Sequence, residues 1–147
     1  MQIITRQVND KPLKVIIEYP EYNDSVTKLV RRISSLDVEF SADLDGRKVK
    51  IGLWDVYYIE NVERKLFIYT EKEVYRLDAS MAEIDAMTVD TNLVRISRTC
   101  IMNTDRLKEI RQVKNSHLEA VLDNGEMLIV SRKYLKDIKK AFQKGCI

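Results

Sequence analysis

The chain from position 38 to position 130 is a succession of short apolar runs, rich in β-branched and aromatic residues and separated by charged or turn-forming residues. This pattern favours strands over helices. Two dipeptides, Asp45-Gly46 and Asn124-Gly125, are strong hairpin signals because tight turns need residues that tolerate positive φ. Strands are predicted at 38–42, 48–53, 56–59, 66–70, 74–77, 94–97, 107–113, 118–122 and 127–130. The predicted fold class is mainly β, and α+β overall, with small antiparallel sheets and short flanking helices.

The amino-terminal residues have a different pattern. Residues 13–18 form a β-branched run that Pro20 ends, which predicts one more strand. A helix capped by Asn23 or Asp24 should follow, because apolar residues then recur at helical spacing. The apolar positions of that helix are Val26, Leu29, Val30 and Ile33. Together they predict a β-α unit that is too small to bury its own apolar face.

Two further helices are predicted between and after the strands. Ser80-Met81-Ala82-Glu83 has the Ser-x-x-Glu form of a capping box and should open a short helix that runs to Met87. Ser131 can cap a last helix that ends at Gly145. Its apolar face would comprise Leu135, Ile138 and Phe142, and its polar face Lys136, Lys139 and Lys140.

Length and hydropathy are those of a single soluble domain. A chain of 147 residues can bury about 70% of its unfolded surface without a metal or disulfide. It contains no apolar run of the ~20 residues that span a bilayer, and no signal-peptide core, so we expect a cytoplasmic protein. We expect residues 1–36 to be an N-terminal β-α extension that serves dimerisation or regulation, and residues 37–147 to be the main domain.

The sequence has no pattern typical of catalysis or of metal binding. The single His117 has no ligand set near it, and Cys100 and Cys146 lie 46 positions apart, without metal-type spacing. The four glycines occur singly, so no phosphate-binding glycine loop is indicated. We expect no metal, no cofactor and no enzymatic activity, and we expect Cys100 to be a small core residue.

Several polar and aromatic residues have a structural interpretation. Arg95 could form an internal ion pair with Glu60 or Asp78, and this structural interpretation is as good as a functional one. Asn103 is expected to fix a turn through its side chain. Five aromatic residues are expected in the core, because they lack the solvent-facing pattern of proteins that bind single-stranded nucleic acid. They are Trp54, Tyr57, Tyr58, Tyr69 and Tyr75.

Charge is distributed unevenly along the chain. Residues 1–94 carry 13 Lys and Arg against 17 Asp and Glu, a net −4, whereas residues 95–147 carry 12 against 6, a net +6. A basic half provides a field that attracts a polyanion. Arg98 and Thr99 follow one predicted strand, and Arg132 and Lys133 follow another. Arginine can read guanine with two hydrogen bonds, while lysine and hydroxyl groups mainly hold phosphate.

These stretches resemble the LytTR DNA-binding domain family. The resemblance rests on Arg95-Ile96-Ser97-Arg98 with a nearby Asn103, on the Asn-Gly hairpin, and on a closing Val-Ser-Arg-x-Tyr-Leu at 130–135. Upstream, Tyr57-Tyr58-Ile59-Glu60 followed by Leu66 to Thr70 resembles the opening strand pair of that family. The match extends from Val38 to Phe142.

The resemblance implies a small, mostly β fold whose loops enter the major groove of double-stranded DNA. It assigns base contacts to one residue in each of three loops: Arg64 or Lys65, then Arg98, then Arg132. It assigns backbone contacts to Thr99, Lys133 and Lys114. The first loop departs from some family members, because it lacks the polar or His residue often found there.

The resemblance also implies a transcription regulator that binds paired direct repeats as two copies, a homodimer on DNA, with a membrane-protein inhibitor or sensor as a further partner. The alternative is a non-enzymatic protein-protein interaction module. Its Lys and Arg residues would then be merely solvated, and the amino-terminal extension would be its working surface. Steep salt dependence of binding would distinguish DNA recognition from that alternative.

Overall fold

The computed structural model describes residues 1–113, 117–136 and 138. It contains the helices α1 (Asp24–Leu36) and α2 (Met81–Met87), and Leu135, Lys136 and Ile138 are also helical. The strands are β1 (Glu39–Leu44), β2 (Arg47–Gly52), β3 (Tyr58–Val62), β4 (Lys65–Tyr69), β5 (Val74–Leu77), β6 (Leu93–Arg95), β7 (Cys100–Asn103), β8 (Leu107–Val113), β9 (His117–Leu122) and β10 (Met127–Val130). Short 3-10 turns lie at Leu53–Asp55, Thr104–Arg106 and Arg132–Tyr134. The mainly β prediction is confirmed.

The strands form two antiparallel sheets. The larger sheet has the order β2-β1-β5-β4-β3-β7-β6, and the smaller has the order β10-β9-β8. In the larger sheet Tyr58 pairs with Tyr69 on one side and with Met102 on the other, which makes β3 a central strand. Because neighbouring strands are antiparallel, the β3–β4 turn and the β6–β7 loop lie at the same end of this sheet.

Both predicted hairpins are present, but they use different turns. Asp45 and Gly46 have φ values of 50° and 78°, as a two-residue type I′ turn requires. In the second hairpin Val121 pairs with Met127, and only Gly125, at φ 89°, has positive φ. The Gly125 amide donates to Leu122 O at 3.0 Å, which is the pattern of a three-residue loop with a glycine bulge.

Alternation along β3 and β7 divides the interior into two apolar clusters. Ile59 and Ile101 point into a cluster with Phe40, Ile68 and Ile84. Their neighbours along the two strands, Tyr58, Cys100 and Met102, point to the opposite face and pack in a second cluster with residues of the smaller sheet. This second cluster also includes Leu118, Ala120, Leu122, Val130 and Ile138. Successive side chains of a strand face opposite sides, so these two strands connect both cores.

The predicted helix starts are confirmed for α1 and α2. The Asn23 side chain accepts a hydrogen bond from the Val26 amide at 3.2 Å, and Ser80 and Glu83 form the reciprocal capping box at 3.2 and 2.7 Å. Ser131 lies at the N-cap position of the 3-10 turn Arg132–Tyr134 but makes no side-chain cap hydrogen bond, so the predicted capping by its side chain is wrong.

Two structural predictions in the first half of the chain are wrong. Residues 13–18 form no strand, and the segment before α1 has neither helix nor strand. A strand needs a hydrogen-bonded neighbour, and no described strand pairs with this segment. Trp54 is 55% exposed and is therefore not a core aromatic, whereas Tyr57 and Tyr58 are buried as expected.

Some predicted positions lie outside the described residues. They are Lys114, Lys139, Lys140, Phe142, Gly145 and Cys146. Among the residues that the structure does describe, Ile138 is buried and Lys136 is exposed, in agreement with the predicted faces of the last helix. Within the same residues, no helix is long and apolar enough to cross a membrane.

Candidate nucleic-acid interface

The loop between β6 and β7, residues 96–99, is anchored at its base and exposed at its tip. Ile96 is fully buried, and its amide donates to Cys100 O at 3.0 Å, which closes the loop. Arg98 and Thr99 are exposed. The side-chain oxygen of Ser97 accepts a hydrogen bond from the Thr99 amide at 3.2 Å. The loop therefore presents a cation and a hydroxyl group to solvent on a fixed base.

The β3–β4 turn lies beside this loop. The Asn61 amide donates a hydrogen bond of 2.7 Å to Thr99 O, which extends the pairing of β3 with β7 toward the turn. Glu63 and Arg64 form the turn with φ values of 50° and 68°. Arg64 and Lys65 are both exposed. The first two predicted loops are thus neighbours at one end of the larger sheet.

The segment after β10 joins the same loop from its other side. The Ser131 amide donates a hydrogen bond of 2.8 Å to Ile96 O. Arg132 and Lys133 follow at once in the 3-10 turn and are exposed. The ammonium group of Lys133 lies 5.5 Å from the centre of the Tyr134 ring, within the range of a cation–π contact.

These contacts bring six of the seven predicted DNA-binding residues to one edge: Arg64, Lys65, Arg98, Thr99, Arg132 and Lys133. We call residues 63–65, 96–99 and 131–134 the three-loop edge. The seventh, Lys114, lies outside the described residues. All six are exposed to solvent.

Arg95 supports this edge from behind. Its Nε lies 3.1 Å from Asp85 Oδ1 and its Nη2 lies 2.9 Å from Asp85 Oδ2. Its Nη1 donates to Arg98 O at 2.7 Å. Arg95 is thus in an internal ion pair, but its partner on α2 is Asp85, and the predicted partners Glu60 and Asp78 are wrong. A salt bridge across sheet and helix has no local sequence signal, so the sequence could not identify Asp85.

The residues behind the edge have structural roles. Burial raises the pKa of the Cys100 thiol to about 12, with a smaller contribution from the Glu60 carboxylate. The thiol therefore stays protonated near neutral pH and is a weak nucleophile, consistent with a core role. Asn103 is buried and accepts a hydrogen bond from the Asp105 amide at 3.0 Å, so the predicted turn role is confirmed.

Arg106, in the basic half of the chain, is engaged elsewhere. Its guanidinium carbon lies 4.8 Å from the Tyr57 ring centre and 5.6 Å from that of Trp54. It also donates to Trp54 O at 2.8 Å and lies 3.6 Å from an Asp123 carboxylate oxygen. Arg106 therefore ties the Leu53–Asp55 turn to the β9–β10 hairpin and has a structural role. Within the described residues, no group of three or more His, Cys, Asp or Glu could hold a metal ion.

The fold and the three-loop edge together define a mainly β domain that displays cations on neighbouring loops. The family model of the LytTr DNA-binding domain matches residues 46–143, which is more than half of the chain. The protein belongs to the LytTr DNA-binding domain family.

The curated relatives include sensory transduction proteins and a transcriptional regulator. The chain is 30% identical over 86 residues to the sensory transduction protein LytT of Enterococcus faecalis, covering 58% of this chain and 36% of that protein. It is 21% identical to LytT of Bacillus anthracis, covering 89% and 55%. An HTH-type transcriptional regulator of Staphylococcus aureus, itself uncharacterized, is 22% identical, and the match covers 90% of each chain. The chain thus spans between a third and about half of the two LytT proteins.

The fold has a solved counterpart. A LytTr DNA-binding domain from Bacillus cereus superposes with a TM-score of 0.65 at 22% sequence identity. The match covers 71% of this chain and 95% of that one. At this identity the likeness concerns the fold, and it agrees with the two-sheet architecture described above.

Proposed function

We propose that this protein is a non-enzymatic, sequence-specific transcription regulator that binds double-stranded DNA in the bacterial cytoplasm. The observation that carries the proposal is the pair of backbone hydrogen bonds that joins the three predicted loops, Asn61 N to Thr99 O at 2.7 Å and Ser131 N to Ile96 O at 2.8 Å. Membership of the LytTr DNA-binding domain family supports the same function.

The dimensions of the three-loop edge suit the major groove. Hydrogen-bonded neighbouring backbones lie about 4.8 Å apart, so three adjacent loops extend over about 10 Å. The major groove of B-DNA is about 12 Å wide. We assign base contacts to Arg98 at the centre, to Arg132 on one side and to Arg64 or Lys65 on the other. Insertion of these loops would place the neighbouring cations against phosphates.

The hydroxyl and ammonium groups of the edge are assigned to the DNA backbone. Thr99 and Lys133 can donate to phosphate oxygens, the contact that hydroxyl and ammonium groups commonly make with the DNA backbone. Such contacts fix register and weaken with salt, because each phosphate neutralised contributes a slope of about −0.9 in log affinity against log salt. Lys114 keeps its sequence-based assignment to the same class.

Binding is tested by titrating the purified protein against a labelled duplex of its own upstream promoter region, with an unrelated duplex as competitor, at low and moderate salt. Tight, salt-sensitive binding that survives the competitor supports the proposal. Equal binding to both duplexes, or none, contradicts it and favours the protein-protein interaction module.

Substitutions separate base contacts from general attraction. Arg98→Ala and Arg132→Ala should each cost about 1 to 3 kcal/mol of specific binding if the side chain reads a base. Arg47→Ala is the matched control, since Arg47 is an exposed arginine on the opposite edge strand of the sheet. An equal loss in the control and in the two loop variants would remove the three-loop edge from the proposal.

We further propose that residues 1–36 pair with a second copy of this chain, so that two copies bind paired direct repeats together. The segment before α1 exposes a set of large apolar residues: Ile3, Ile4, Val8, Leu13, Val15, Ile16, Tyr19 and Tyr22. From their fractional exposure they present roughly 1,000 Å² per chain, so two copies could bury roughly 2,000 Å², the lower end for stable homodimers.

The dimer proposal is tested with full-length variants by light scattering and sedimentation. Ile4→Glu with Ile16→Glu should convert a dimer to a monomer without changing the thermal unfolding of the main domain. Val89→Glu is the control, because Val89 is 66% exposed beyond α2. A wild-type protein that is monomeric at all concentrations contradicts the dimer and leaves the segment for a different partner, such as a membrane-protein inhibitor or sensor.

A further inference from the structure

We propose that Arg95 and Asp85 form a positioning pair that holds the central loop of the three-loop edge in its DNA-binding conformation. The inference rests on the proposed function and names residues outside the predicted contact set. Nε and Nη2 of the Arg95 guanidinium donate to the Asp85 carboxylate at 2.9 to 3.2 Å. The remaining nitrogen, Nη1, donates to Arg98 O at 2.7 Å and lies 3.4 Å from Ser97 O.

The planar guanidinium is what makes this connection possible. Arginine presents donors in a rigid fork, so a carboxylate on one side fixes the direction of the donor on the other. The carbonyl of Arg98 is thereby tied to α2, which is itself fixed by its capping box and by the buried Ile84. Lysine has one flexible ammonium group and cannot bridge a carboxylate and two carbonyls in the same geometry.

Arg95 contacts the backbone of the loop and not its functional side chains. The side chains of Arg98 and Thr99 remain exposed, while the carbonyl that precedes Thr99 is held. Ordering of the loop before binding lowers the entropic cost of recognition. Arg95 itself is only about a quarter exposed in its side chain and is turned toward Asp85, so its charge is already engaged inside the protein.

The sign of one substitution separates positioning from simple electrostatics. Asp85 places a negative charge behind a surface that binds phosphate, so charge alone predicts that Asp85→Asn strengthens DNA binding. Asparagine offers a single acceptor oxygen and cannot fix the orientation of the Arg95 guanidinium as the two carboxylate oxygens do. If the pair positions the loop, Asp85→Asn should instead weaken specific binding by about tenfold, within the range for coupled neighbours.

The control is Asp90→Asn. Asp90 is exposed in the turn after α2 and has a φ of 59°, which asparagine tolerates. This variant removes the same charge without touching the loop and should bind at least as tightly as the wild type. The positioning role is overturned if Asp85→Asn binds as tightly as Asp90→Asn.

A double-mutant cycle tests whether Arg95 acts through Arg98. Arg95→Lys should weaken specific binding by about tenfold in the wild-type background but by less than about twofold when Arg98 is already Ala. Additive losses would mean that Arg95 contacts DNA directly and would overturn the proposal.

Hydrogen exchange keeps this inference separate from the proposed function. In the free protein, the amides of Arg98 and Thr99 should exchange faster in Asp85→Asn than in Asp90→Asn, whether or not the protein binds DNA. Unchanged exchange overturns the positioning pair. If exchange is faster in Asp85→Asn but the wild-type protein binds no DNA, the positioning role of the pair is supported and the proposed function is refuted.

Discussion

The side-chain Nδ2 of Asn103 donates a hydrogen bond of 2.8 Å to the carbonyl oxygen of Val56, 47 positions earlier in the chain. This hydrogen bond joins the last residue of β7 to the segment that leads into the Tyr57-Tyr58 pair. Both are buried, Asn103 at 1% and Val56 at 0% exposure. A hydrogen bond in this place satisfies a backbone acceptor that water does not reach.

Asn103→Ala should therefore lower the free energy of unfolding by about 3 kcal/mol, because it leaves the Val56 carbonyl and the Asp105 amide without their partner. Urea unfolding monitored by circular dichroism measures the change. Asn124→Ala is the control: Asn124 also accepts a backbone hydrogen bond, from Glu126, but it is exposed, so its loss should cost less than about 1 kcal/mol. Equal losses would contradict the buried role of Asn103.

Gly125→Ala should lower stability by about 1 kcal/mol. Gly125 has a φ of 89°, and an added Cβ would meet no atom within 4 Å, so the cost arises from the backbone conformation alone. Gly52→Ala is matched, since it also has free space for a Cβ but has a φ of −70° that alanine adopts readily. Thermal unfolding should show a loss for the first variant and little change, or a small gain, for the second.

Arg64→Gly should stabilise the fold while it weakens DNA binding. Arg64 holds a φ of 68° in the β3–β4 turn, where glycine would relieve about 1 kcal/mol of backbone strain. The same change removes an exposed cation from the three-loop edge. Arg64→Lys keeps both the cation and the strained backbone, so its stability should stay near that of the wild type. A lower stability of Arg64→Gly than of the wild type would contradict the backbone strain at this position.

Stability should fall as the pH rises above about 9. Burial raises the pKa of Cys100 from its ordinary 9.0 to about 12, so the unfolded chain releases this proton first and unfolding becomes easier between those values. Burial also raises the pKa of Tyr57, Tyr58 and Tyr69, which extends the loss above pH 10. The stabilisation is fully present below the unfolded-state pKa values.

Urea titrations at pH 7.5, 9.5 and 10.5 measure this loss. Cys100→Ala should be less stable than the wild type at neutral pH because of the volume removed. Over that pH interval, its free energy of unfolding should fall by about 1 to 2 kcal/mol less than that of the wild type. Parallel pH profiles for the two proteins would show that the thiol is not the titrating group.

Most strands were predictable because alternation and turn signals are local. The predictions for β5 and β10 agree with the structure residue for residue, at Val74–Leu77 and Met127–Val130. The strand β7, Cys100–Asn103, was not predicted. All four of its residues are buried, so no apolar-polar alternation marks it, and its run is too short to identify by composition.

Contacts between distant residues could not be predicted in the same way. The strand expected at residues 13–18 has β-branched residues but no hydrogen-bonded neighbour among the described strands. Trp54 was expected in the core, but the fold covers only part of its ring, on which Arg106 lies. Burial depends on what packs over a side chain, and this information is not local.

The sequence by itself determined the strand-rich class, the hairpin positions, the caps of α1 and α2 and the identity of the cations in three loops, because each depends on residues near one another in the chain. Only the tertiary structure decided that the loops at Arg64, Arg98 and Arg132 meet at one edge and that Asp85 supports the central loop through Arg95. Those relations depend on hydrogen bonds between segments that are brought together by the order of strands in the sheet.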